Sequence, residues 1–109
     1  MPDHAIVVLI TVPSREVGEK VARALLEQRL AACVNILPAI QSHYWWQGEI
    51  QQEQEALLFV KSRADLFESR LIPAVQAVHP YEVPEIIALP VTMGLESYLG
   101  WITQETTAS

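Results

Sequence analysis

The chain is short of cysteine, of positive charge and of glycine, and each shortage removes a class of protein. One cysteine, Cys33, excludes an internal disulfide and fits a reducing compartment. Seven Lys and Arg face thirteen Asp and Glu, for a net charge of −6. Nucleic acids and anionic membrane surfaces are bound through clustered Lys and Arg, so neither is an expected partner. The four glycines, at 18, 48, 94 and 100, are too scattered for a phosphate-cradling loop. No apolar run approaches the roughly 18 residues of a membrane-spanning helix. Met1-Pro2-Asp3-His4 lacks the basic region of a signal peptide, and the expected location is the cytoplasm.

What the chain does have is apolar surface. Half of its 109 residues are hydrophobic, including three tryptophans. That length suits one domain, residues 1–109. A domain so small has little interior for its surface, so the surplus predicts burial against another subunit.

Ala5 to Val12 is a β-branched run without polar alternation, read as a central strand covered on both faces and ended by Pro13. Ser14 is placed to cap a helix whose Val17, Val21, Ala24 and Leu25 form one apolar stripe, to about Gln28. Leu30 to Leu37 and Ile40 to Gln47 read as one long strand bent at Pro38-Ala39, because proline cannot donate to a ladder. Gln47-Gly48-Glu49 is a turn, and Gln51 to Glu53 extends the connection to a third strand, Glu55 to Lys61. This long strand pair is expected to project as an arm.

Ser62-Arg63-Ala64-Asp65 resembles a capping box opening a helix with Phe67, Leu71, Ala74, Val75 and Val78 on one side. Pro73 inside it predicts a kink near Glu68-Ser69. Glu85 to Leu89 is the fourth strand. A short helix capped by Ser97 and a frayed end from Thr103 follow. The order is α+β: a ferredoxin-like βαββαβ sandwich plus a C-terminal helix.

Three motifs carry a family resemblance: Leu30-Ala31-Ala32-Cys33-Val34-Asn35, Tyr44-Trp45-Trp46-Gln47-Gly48-Glu49, and His79-Pro80-Tyr81-Glu82-Val83-Pro84-Glu85-Ile86. Together they resemble the CutA family of divalent-cation tolerance proteins, over Ile6 to Ile102. The resemblance implies a fold related to the trimeric PII signalling proteins. It also implies a homotrimer with sheets paired across subunits and lateral clefts between them. It further implies a role in the response to copper or another divalent metal. Copper sites proposed within that family use a cysteine in the first strand and a second histidine before the His-Pro pair; Ile10 and Val78 stand there in this chain.

His79 and Glu85 are the metal-ligand candidates, since imidazole and carboxylate suit Cu²⁺ and other divalent ions. Six residues of extended chain separate them by up to about 20 Å, so a joint site needs a tight turn or donation from two subunits. The alternative is that His79 caps the preceding helix while Glu85 accepts backbone bonds at the strand start. Cys33 is a soft ligand or a buried structural thiol. Lys61, followed by a helix start, suits a small anionic ligand or is simply solvated. Tyr44 and Trp46 point to one face of their strand and Trp45 to the other, as subunit anchors or as a stacking wall.

No nucleophile–base–orienter set can be assembled, so an enzyme is not expected. The reading is a trimeric, non-enzymatic binding protein. Its candidate cleft holds Cys33, Trp46, Lys61 and Tyr81, with His79 and Glu85 toward a metal. The alternatives are a PII-like sensor of a small anionic metabolite in the intersubunit clefts, or a structural trimer that acts through a protein partner.

Overall fold

The computed structural model describes residues 4–107. Strand β1 (Ala5–Val12) leads into helix α1 (Arg15–Glu27). The long strands β2 (Cys33–Trp46) and β3 (Glu49–Arg63) follow as a hairpin. A helical segment is divided into α2 (Ala64–Leu66), a π-helical turn (Phe67–Leu71) and α3 (Ile72–Gln76). Strand β4 (Ile86–Pro90) and helix α4 (Glu96–Glu105) complete the chain. The sheet order is β2-β3-β1-β4 and every pairing is antiparallel, which is the ferredoxin-like arrangement expected from the element order.

Local signals account for most boundaries. The Ser14 hydroxyl accepts from the Val17 N–H, opening α1 as expected. At the other end Arg29 adopts φ 58°, and Leu30 N–H bonds back to the Leu25 carbonyl, a Schellman closure without the usual glycine. Gly18 lies where α1 comes closest to the sheet: a Cβ there would sit 3.1 Å from a methyl of Leu58. Gln47 and Gly48 both have positive φ, the two-residue turn that suits twisted strands. Leu37 pairs with Leu57 but Ile40 with Glu55, so β2 carries one extra residue at Pro38-Ala39, where the bend was expected. The kink expected near Glu68-Ser69 is the π turn, which accommodates the missing N–H of Pro73.

Elsewhere the structure departs from expectation. Gln51 to Glu53 is part of β3, not a connection, because each pairs with β2 beyond the reach of β1. There is no capping box at Ser62. Arg63 precedes the helix without a side-chain cap, and Ser62 is a fully buried strand residue whose hydroxyl donates to the Leu30 carbonyl at 2.6 Å. Ser97 lies inside α4 rather than capping it. The expected frayed end is helical to Glu105. It is anchored by Arg29 to Glu105 at 2.8 Å and by Arg63 to the Thr106 carbonyl at 3.1 Å. Ala108 and Ser109 lie outside the described residues.

The core lies on one side of the sheet. Ile6, Val8, Ile10 and Val12 of β1 and Ala56, Leu58 and Val60 of β3 pack with Val21, Leu25, Leu71 and Val75 of the helices. β1 is therefore not covered on both faces: Val7, Leu9 and Thr11 are only half-buried. The same opposite face shows Leu37, Ile87 and Leu89 exposed and Leu57 and Phe59 half-buried. This open apolar face is where the compositional surplus goes. Beyond Ala56, β2 and β3 pair only with each other, and the molecule measures 44 × 26 × 23 Å along its axes. The arm is real, and a lone two-stranded ribbon is marginal without cover.

Ser62→Ala removes the donor to a buried carbonyl. The expected cost is about 1 to 3 kcal/mol of unfolding free energy, measured by denaturant titration with an unchanged slope.

Candidate functional site

The connector from α3 to β4 is held by four successive hydrogen bonds. Val75 closes α3 by accepting from the His79 N–H. The His79 ring then turns inward, 7% exposed, and its Nε2 donates to the Thr11 carbonyl at 2.7 Å. Nδ1 accepts from the Tyr81 N–H at 3.1 Å, which fixes the neutral ring with its proton on Nε2. The rings of His79 and Tyr81 meet with centroids 4.8 Å apart. Finally the Tyr81 hydroxyl donates to Glu55 Oε2 at 2.6 Å. Pro80 and Pro84 stiffen the same segment. A loop is thereby tied to the end of β1 and to the root of the arm.

Between this connector and the arm lies a cleft of about 700 Å³. Ser42, Tyr44 and Trp46 of β2 face it together with their cross-strand partners Glu53 and Gln51 of β3. Tyr81, Val83 and Glu85 form the opposite wall. Glu53, Glu55, Glu82 and Glu85 all line it, and neither Lys nor Arg does. Glu55 sits deepest, in a residue 6% exposed. The acid density marks both tyrosines. Burial, and then the bond to Glu55 and its charge, push the Tyr81 hydroxyl well above its usual range. The bond to Glu53 raises Tyr44.

Of the residues singled out from sequence, Trp46, Tyr81 and Glu85 meet at this cleft, with His79 behind them. His79 spends both ring nitrogens on protein partners, so a metal bond from it requires the release of one. Among the described residues no three His, Cys, Asp or Glu side chains converge as a metal cage.

Cys33 and Lys61 lie elsewhere in the single chain, directly across from each other on β2 and β3. Cys33 is half-buried rather than enclosed. Its thiol approaches Asn35 Oδ1 at 3.8 Å, and the Lys61 ammonium donates to that same oxygen.

Glu55 is the residue that sequence reasoning missed. The available signal was a carboxylate heading an otherwise apolar strand, where a surface charge has no reason to be. His43, read as a strand-surface residue, is exposed and also lines the cleft.

Tyr81 is a protonated donor at all ordinary pH values. Its raised value adds stability that is complete below the unfolded value of about 10 and is lost as pH climbs from there through the folded value. Tyr81→Phe is expected to cost about 1 to 2 kcal/mol at pH 8, the low end for a bond to a charged group because the ring is partly exposed. It should also flatten the decline in unfolding free energy between pH 9 and about 11, read by denaturant titration at each pH.

The family model described as CutA1 divalent ion tolerance protein matches residues 6–105. The Divalent-cation tolerance protein CutA of Thermus thermophilus is 54% identical over 100 residues, covering 92% of this chain and 96% of that protein. The chloroplastic Protein CutA of Arabidopsis thaliana is 49% identical across 94% of this chain and 56% of its own length. Among solved structures, CutA1 from Oryza sativa superposes with a TM-score of 0.91 at 44% identity, each chain covered in full. A domain-length match, relatives above 40% identity and a shared backbone agree, and the chain belongs to the CutA1 divalent ion tolerance family.

Proposed function

We propose that the chain works as a homotrimeric, non-enzymatic binding protein in the response to divalent metal ions, in a reducing compartment such as the cytoplasm. The observation that carries the ligand class is the charge of the cleft: four carboxylates line it and no Lys or Arg does. Such a lining attracts cations and repels the anionic metabolite considered as the other occupant. Cu²⁺ or another divalent ion is held by exposed carboxylates such as Glu53 and Glu85, with water completing its shell. His79 acts from behind, keeping the wall that carries Glu85 in place. The open apolar face and the lone arm support the trimer, because both need cover that one chain does not supply.

The non-enzymatic reading is supported by the engagement of the two nucleophile–base candidates. The Cys33 thiol lies against Asn35, and His79 has no free nitrogen to act as a base.

Calorimetric titration of the assembled protein with Cu²⁺, and in parallel with Mn²⁺ and Zn²⁺, tests the reading. Binding of at least one ion is expected to survive removal of the residues before Ala5, and to weaken tenfold or more in Glu85→Gln and Glu53→Gln. Binding that disappears with His4 and ignores both glutamates overturns it.

A further inference from the structure

We infer that Lys61 of one copy enters the cleft of a second copy and pairs there with Glu55. The inference rests on the trimer reading above and names the contact that completes its cleft; Lys61 neutralises Glu55 at the base, while Glu53, Glu82 and Glu85 keep the lining net negative toward a cation. Glu55 is almost wholly buried, accepts from the Tyr81 hydroxyl, and takes part in none of the four ion pairs among the described residues. A buried carboxylate without a cation is expensive, so the chain is built to receive one.

The supply of cations within the sequence is short enough to search in full. Arg15, Arg23, Arg29 and Arg63 already face carboxylates. Lys20, on α1, and Arg70, in the π turn, stand exposed on the helical elements. Lys61 is the seventh. It is half-buried on the open face of the sheet and holds an amide oxygen, not a carboxylate.

Glu55 and Lys61 cannot meet within one chain. Both point to the same face of β3, where six residues of strand separate them by about 20 Å. Between them on that face lie Leu57 and Phe59. The face therefore carries a cationic plug at one end, an anionic socket at the other and apolar surface between. Two different complementary patches on one surface are what a head-to-tail interface needs, and such an interface forms a ring, here the trimer, when its rotation closes. The plug is held ready, since Asn35 orients the Lys61 ammonium before association.

Three variants of the full chain test this: Glu55→Gln, Lys61→Gln and the double. Their self-association is followed by sedimentation across a dilution series, with circular dichroism confirming that each is folded and Arg70→Gln as a control that should behave as wild type. Each single variant is expected to weaken assembly tenfold or more, and the double to be no weaker than the worse single, because the second change finds its partner already gone. A wild-type chain that stays monomeric at micromolar concentration overturns both the trimer reading and this contact. A stable trimer in which the two single effects multiply in the double variant overturns the contact alone.

Discussion

A four-stranded sheet whose core is packed by α1 and the α2–α3 segment on one side has much of its other face left over, and the rest of the molecule is shaped by that remainder. The core on the helical side is complete: alternate residues of β1 and β3 are fully buried against α1 and α3. The other face repeats the same β-branched and aromatic chemistry but is only partly covered. Strands that read as apolar at every position are strands meant to be covered twice. One cover is intramolecular. The arm, the exposed edges of β2 and β4, and the cleft at the root of the arm are all arranged on or around the second, unfilled side.

The cleft draws its shape from a loop held unusually firmly. Proline restricts the connector, but proline alone does not aim it. The aim comes from His79, which grips a β1 carbonyl with one nitrogen and the Tyr81 backbone with the other. Because the imidazole is neutral and buried, its two bonds are directional and leave one tautomer. Tyr81 carries that fixed geometry to Glu55, on a different strand. An acid at the cleft base is thus positioned through a histidine that need not touch any ligand.

The sequence made the architecture legible because its periods and punctuation were local. The Ser14 cap, the bend at Pro38-Ala39 and the disturbance ahead of Pro73 follow from single residues acting on their own backbone. What was not legible depended on distant partners. Ser62 resembled a helix cap, but the Leu30 carbonyl, far away in sequence, claimed its hydroxyl. The C-terminal turn lacked any strong local signal, yet Arg29 and Arg63 hold it from two other segments. The site followed the same division. Trp46, Tyr81 and Glu85 were readable from their motifs. Glu55 was not, because its significance lies in burial. Cys33 and Lys61 were read with the cleft but sit together at a different place on the single chain.

The extra residue in β2 has a consequence for which aromatic rings the cleft receives. Side chains alternate along a strand, so one inserted residue inverts the phase of everything beyond it. Before the bulge, odd-numbered residues share a face with Lys61, Phe59 and Leu57; after it, the even-numbered ones do, with Glu55, Glu53 and Gln51. Without that half-period shift Trp45 would turn toward the carboxylates. Tyr44 and Trp46 would face the side where Trp45 now stands 71% exposed. Pro38 and Ala39 thus act as a phase selector, choosing from a distance which half of an aromatic triplet is inside.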